Sequence, residues 1–521
     1  MAEIGKNIIE NLTTAMYENS YTVYREYIQN SADSIDRAIE MGIMQREEAI
    51  IDIHIEFGKR RITINDNAAG IPRCDFYKKL SDIADSQKDP SKEKGFRGIG
   101  RLAGLAYCNK LIFKTSAKGE KITSIMEWDG EKLRGVLADS SAHPSASDLI
   151  DHIIECHEEQ SDINEHFFEV VMDGVIPESD DLLEQSEVKR YLQAVAPIPY
   201  ENSFVYRSKI YDYIKTEDLV IDEYDIEING NPLFKPYKNK LYDGTIDKKT
   251  VYDEISDIEF RQFRAKDGRL LAWMWFAVTK YEKQIPVINQ MRGIRLRKEN
   301  IQIGDEETLS YPRFYKEARG AYYFIGELFA VDSELRPNAR RDYFNRNATL
   351  KEFEDKVHPV LYKEFYDLYH YANKVKSSFK KTAEYKKKEQ EYNNKINNSA
   401  FIDNKEKEEA RKELDIEKAK AEKAKREIEL RQKAAEINSV LNRVFTEIET
   451  VYKLEEGDIT KTADKSDEEE SRKNKYLTQA LSKYNRKEQK LIARIYQIIK
   501  AILPKDMAEM VVAKIQEELS K

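Results

Sequence analysis

Residues 21–40, YTVYREYIQNSADSIDRAIE, run for twenty positions without proline or glycine, which predicts a helix. The pattern then changes period. Ile51, Ile53, Ile55 and Phe57 alternate with Asp52, His54 and Glu56, and Ile62 and Ile64 alternate after Gly58-Lys59. This predicts a β-hairpin running into a loop at Asp66–Pro72. DSQKDPSKEK reads as a loop, whereas GFRGIGRLAGLAYC turns small and apolar and reads as the start of a helix. Strands are expected at 111–119, 122–130 and 167–175, in a largely antiparallel sheet. A helical stretch over 180–200 ends in Pro197 and Pro199, a hinge between domains.

Residues 200–345 read as a second α/β unit, with strands in YDIEING, RLLAWMWFAV, GIRLRKENIQIG and AYYFIGELFAV. Beyond 347 the chain is helical. Ile437, Leu441, Val444, Ile448 and Val451 recur at four- and three-residue steps, and Leu414, Ala421, Ile428 and Ala435 every seven, with Glu417 and Arg431 interrupting the upstream seam. Such spacing fits self-association, a helix packed along its own domain, or a hairpin within one chain. A charged linker at 457–475 precedes a helical pair split at Pro504. The expected class is α+β: an α/β sandwich over 1–185, a second α/β domain over 186–346, a long helical or coiled-coil region over 347–455, a linker over 456–475 and a helical pair over 476–521.

Composition narrows the partners. The 521 residues carry a net charge of −9, so no general cationic field draws the molecule to nucleic acid. The charged fraction, 35 %, concentrates in the C-terminal third. Cys74, Cys108 and Cys156 lack metal-ligand spacing and fit a reducing compartment. No apolar run approaches a membrane span and MAEIGKNIIE lacks a signal-peptide layout, so a cytoplasmic protein without membrane contact is expected.

Glu26, Asn30 and Asp33 share one stripe of the first helix, at i, i+4 and i+7. Alone, the stripe fits a solvated polar face as well as a magnesium site. Hydrolysis of a nucleoside triphosphate needs a group that prepares water, a magnesium ligand, a reader of the base and donors for phosphate. Glu26 suits the first task and the amide oxygen of Asn30 the second. Asp66 at a strand end can accept a hydrogen bond from the amine of adenine, and Gly70 allows close backbone approach. Gly95, Gly98 and Gly100 open a helix whose free N–H groups suit phosphate.

In that order, these segments resemble the GHKL ATPases, the superfamily of gyrase B, the ninety-kilodalton heat-shock chaperone, histidine kinases, MutL and MORC proteins. Glu26, Asn30 and Asp33 satisfy its E-x-x-x-N-x-x-D motif. Asp66-Asn67-Ala68-Ala69-Gly70 departs from D-x-G-x-G by alanine for the first glycine, which implies weaker binding. Gly95-Phe96-Arg97-Gly98-Ile99-Gly100 matches the G-x-x-G-x-G loop, and Lys88, Lys92, Lys94 and Arg97 stand around it. The resemblance implies a Bergerat-type fold, ATP and magnesium as cofactors, and a transducer-like second domain. In Pro337-Asn338-Ala339-Arg340-Arg341-Asp342, Arg341 falls on the arginine that in chaperone members reaches the γ-phosphate. Surface ion pairing of Arg340 and Arg341 is the competing expectation.

A P-loop is absent, as are a Gly-x-Ser-x-Gly turn, paired histidine spacing and a phosphoacceptor helix ahead of Glu26. The implied function is an ATP-gated homodimeric clamp acting on a macromolecular client, DNA or protein. A chaperone and a slow nucleotide-regulated scaffold are the alternatives; a bacterial defence role is specified by no residue.

Overall fold

The alternation of apolar and polar positions at 51–64 needs a sheet to receive it, and among its described residues the computed structural model has three.

 Residues 19–82, 100–139, 141–397, 404–463 and 505–520 are described, with isolated positions elsewhere. The chain divides into two compact units, Met1–Thr382 with Asp415–Ile448, and Ala383–Leu414 with Glu449–Lys521.

In the first unit, helix α1 (Thr22–Glu40) buries Val23, Tyr24, Tyr27, Ile28, Ala32, Ile35 and Ala38, the three- and four-residue steps of one apolar face. Gly42 ends it in the left-handed conformation, with its N–H on the carbonyl of Ile39. Strands β1 (Ile50–Glu56) and β2 (Arg61–Asp66) pair antiparallel, Ile53 opposite Ile64 and Ile55 opposite Ile62. The turn between them is longer than Gly58-Lys59: a 3-10 turn covers Phe57–Lys59 and Arg60 takes the left-handed residue. Then follow α2 (Arg73–Ser81), β3 (Cys108–Ser116), β4 (Ile122–Asp129), α3 (Gly130–Ala138), α4 (Ala146–Ile153), β5 (Ile154–Gln160) and β6 (Phe167–Val175).

After α5 (Gln185–Val195) and α6 (Arg207–Thr216), the chain returns to this sheet as β7 (Asp225–Ile228) and β8 (Asn231–Pro232). The order is β5-β4-β3-β6-β2-β1-β7-β8, antiparallel except where β7 runs parallel to β1. The first sheet therefore draws strands from beyond residue 185. The fold is mixed α/β, with this sheet-based N-terminal domain and a helical C-terminal region.

A hairpin of β9 (Lys240–Gly244) and β10 (Lys249–Glu254) precedes a second sheet. Its strands are β11 (Asp257–Arg264), β12 (Leu270–Val278), β13 (Gly293–Lys298), β14 (Ile301–Gln302) and β15 (Ile325–Ala330), in the order β11-β12-β15-β13-β14. The unbroken apolar run of β12 is buried on both faces. The basic strand GIRLRK is also buried throughout. Inside, Lys235 meets Glu327 at 3.0 Å and Asn300 at 2.7 Å, while Arg297 bonds Glu327 and the carbonyls of Asn300 and Ala194, both at 2.9 Å. Each buried charge thus has partners, which is the condition for keeping it ionised.

Helices α7 (Ala348–Pro359), α8 (Phe365–Asn397), α9 (Asn404–Glu436), α10 (Ser439–Ala463) and α11 (Lys505–Ser520) complete the described chain. Within the first unit the Tyr371 hydroxyl donates to the carbonyl of Arg431 at 2.8 Å, 60 positions on. Within the second, Lys395 reaches Glu406 at 3.4 Å, 11 positions on. Both contacts have the register of an intrachain antiparallel pair. Of the expected seam Val444 and Ile448 are buried, with Val440 and Phe445 beside them, whereas Ile437 is 90 % exposed in the break between α9 and α10 and Val451 is exposed as well. The first residues of the expected linker, 456–463, are helical, because α10 continues to Ala463. Pro504 and most of 464–504 lie outside the described residues.

Candidate functional site

The polar stripe of α1 is not a solvated face. Asp33 is buried, the Glu26 side chain is 12 % exposed and Asn30 is half-buried. The Glu26 carboxylate lies 3.5 Å from the Arg25 guanidinium and 4.0 Å from that of Arg341. Gly100 closes over the same carboxylate: a Cβ there would overlap Oε2 and stand 3.2 Å from Cδ. A side chain at 100 would thus have to displace the Glu26 carboxylate.

Arg341 arrives on a hairpin-like loop. The Asn338 N–H bonds the carbonyl of Tyr343 at 2.8 Å, the Asn345 N–H that of Arg336 at 2.8 Å, and Arg341 takes a positive φ of 56° at the tip. A left-handed arginine is strained by about 1 kcal/mol or more, and its surroundings must hold it. The Gly304 N–H bonds the Arg341 carbonyl at 2.7 Å, and Arg25 donates to the carbonyl of Arg340 at 3.4 Å. Arg341 is 8 % exposed, and burial lowers its pKa against the pull of Glu26. Surface ion pairing does not describe it. Arg340 is the exposed member of the pair.

Asp66 ends β2, opposite Ile51 on one side and Phe168 on the other. It follows Ile62 and Ile64 in the inward phase of the strand, and none of it is exposed. Burial raises its carboxyl to about 7, against the hydroxyl of Ser31, the N–H of Ala68 and the hydroxyl of Ser34. The Ala68 N–H reaches Oδ1 at 3.2 Å, while Oδ2 has no hydrogen-bond partner among the described residues. An orphaned buried acceptor fits a ligand that brings an N–H donor, as the amine of adenine does.

Gly70 has a φ of +66°, and a Cβ there would overlap the carbonyl of Ser116 and stand 3.0 Å from that of Phe167. It is required by the packing of this loop on the strand ends of β3 and β6. The Ile71 N–H bonds Thr115 Oγ1 at 2.9 Å, whose hydroxyl donates to Phe167 at 2.7 Å, fixing the loop further.

Gly95, Arg97, Gly98 and Ile99, with Lys88, Lys92 and Lys94, lie outside the described residues. The helix expected after Gly100 is a 3-10 turn, Gly100–Ala106, because the chain must enter β3 at Cys108 and has no length for more. Among the described residues no cluster of three His, Cys, Asp or Glu side chains is placed to hold a metal. Magnesium in a nucleotide site is held by one or two protein side chains beside phosphate oxygens, so it needs no such cluster.

Residues 17–161 match the family described as "Histidine kinase-, DNA gyrase B-, and HSP90-like ATPase". This segment is a GHKL-type ATPase domain. The chain is also similar to the "Chaperone protein HtpG" of Coxiella burnetii, 26 % identical over 142 residues, which is 24 % of this chain and 22 % of that protein. The HtpG of Shewanella baltica is 25 % identical over 147 residues, 24 % of this chain and 23 % of the relative. That of Escherichia coli is 25 % identical over 142 residues, with the same two shares. The chain therefore spans less than a quarter of the length of these relatives. Among the described residues no helix is long and apolar enough to cross a membrane.

Sequence reasoning about the GHKL domain missed Arg25 and Tyr27, which flank Glu26, and the serines beside Asp66. Arg25 and Tyr27 stood next to a named residue. Their role depends on turns 74 and 315 positions away, which no local pattern reports.

Proposed function

We infer that this protein binds ATP with magnesium and hydrolyses it, and that the nucleotide gates a conformational switch in a homodimer. The observation that carries the reading is the meeting of Glu26 and Arg341, 315 positions apart in the chain, in a unit that also holds the buried acceptor of Asp66 at the end of β2. In this reading Asp66 receives the amine of adenine, with Asp33 and Gly70 shaping the pocket. Asn30 would hold magnesium, which neutralises charge on the phosphates. Gly95, Arg97, Gly98, Ile99 and Gly100 supply the phosphate loop. Glu26 orients or deprotonates the attacking water, and Arg341 stabilises the charge that develops on the γ-phosphoryl group.

In this reading the nucleotide module, expected over residues 1–185 and completed by β7 and β8, and the transducer-like remainder of 186–346 would be the two elements that a switch needs. ATP can act at a distance only by favouring one of two arrangements of another element. A protein client is favoured over DNA by the similarity to HtpG, a chaperone protein.

The test is phosphate release from MgATP by the full chain, with and without DNA or an unfolded protein, alongside light scattering with a non-hydrolysable analogue. Arg341→Ala is expected to lower kcat by roughly tenfold or more, with ATP affinity held within about threefold. A pure loss of affinity would remove Arg341 from the chemical step, and absence of turnover in the unaltered protein would overturn the reading.

A further inference from the structure

Tyr27 follows Glu26 on α1 but points into the core, with 1 % of it exposed. Its hydroxyl donates to the carbonyl of Arg101 at 3.1 Å and accepts the N–H of Gly104 at 2.9 Å. Both partners belong to the turn Gly100–Ala106. The fit leaves no room for a side chain, since a Cβ on Gly104 would stand 2.5 Å from the Tyr27 oxygen. At the start of that turn the Glu26 carboxylate occupies the space that a Cβ on Gly100 would fill. Arg101 adds a fastening of its own by donating to the carbonyl of Asp82.

Successive residues of a helix point about 100° apart, so Glu26 and Tyr27 address the same turn from two directions. We propose that Tyr27 is a positioning residue: its hydroxyl fastens the turn so that the Gly100 backbone confines the Glu26 carboxylate to one orientation. The inference rests on the ATPase reading above. Losing the hydroxyl strands the buried N–H of Gly104 and lets the turn relax, which frees the carboxylate. Misplacement of a catalytic group by about 1 Å is enough to cost as much as 10²-fold in rate.

The experiment compares the full chain with Tyr27→Phe, Glu26→Gln and the double variant, reading kcat and KM for MgATP and affinity for a non-hydrolysable analogue. Tyr27→Phe is expected to lower kcat about tenfold, to leave analogue affinity within about twofold, and to add no loss in the Glu26→Gln background. An unchanged kcat, a parallel fall in kcat and affinity, or a full further loss in the double variant would overturn the proposal. Should Tyr27→Phe not fold, Gly100→Ala pushes on Glu26 from the other end of the turn; unaltered kcat there overturns it equally. Absence of turnover in the unaltered chain sinks the ATPase reading and this proposal together, a result distinct from normal turnover with an indifferent Tyr27→Phe.

Discussion

Replacing Glu26 with glutamine is expected to cut ATP turnover by about 10²–10⁴-fold, the usual contribution of a positioned acid or base. Binding of the nucleotide should survive, because the base and phosphates are assigned to other residues. Glutamine keeps the length of the side chain and its place beneath Gly100, but it cannot take a proton. It also removes the anion that Arg341 and Arg25 face at 4.0 and 3.5 Å. Arg341 is then freer to meet phosphate, so affinity for a non-hydrolysable analogue should hold or rise. Measured by phosphate release and by titration with that analogue, unchanged turnover would exclude Glu26 from the mechanism.

Asp66→Asn should weaken nucleotide binding by roughly 1–3 kcal/mol, the range for spoiling a buried hydrogen bond. The same variant tests a pH dependence. In the free protein the carboxyl titrates near 7, while a bound amine donor favours its ionised form. Affinity of the unaltered protein for MgADP should therefore fall as pH drops below about 7, and the asparagine variant, compared at each pH, should lack that component. Stability runs the other way. The folded pKa of about 7 lies above the ordinary 3.8, so the fold prefers the neutral acid. The resulting penalty is absent below about pH 4, grows as pH rises, and is complete above about pH 7. At about 1.4 kcal/mol per pKa unit its upper bound is about 4 kcal/mol. Asp66→Asn should consequently melt at a higher temperature than the unaltered protein at pH 8, and less so at pH 5; equal melting at pH 8 would count against the buried, unpaired carboxylate.

Much of the first sheet could be read from local pattern. The apolar alternation at 51–64 determines the register of β1 and β2, because a slip by one residue would turn every isoleucine outward. The same period puts Asp66 in line with Ile62 and Ile64, so its burial was legible too. Edge strand β5 was not legible: IECHEEQ is exposed at six of seven positions and has no buried face to leave an apolar rhythm. Nor was the burial of Lys235, Arg297 and Glu327, whose pairing joins positions 92 and 30 apart. The place of Arg341 came from a family resemblance, since only tertiary packing brings its loop to Glu26.

The parallel pairing of β7 with β1 has a practical meaning for anyone cutting this gene. Ile226 and Ile228 are almost wholly covered, and β7 screens the outer edge of β1. A fragment stopped near residue 185 would leave that edge bare, offering unpaired amides and carbonyls to any neighbouring chain. Expression of the nucleotide module alone should therefore extend past Pro232, or the product will recruit other copies of itself in place of its missing strands.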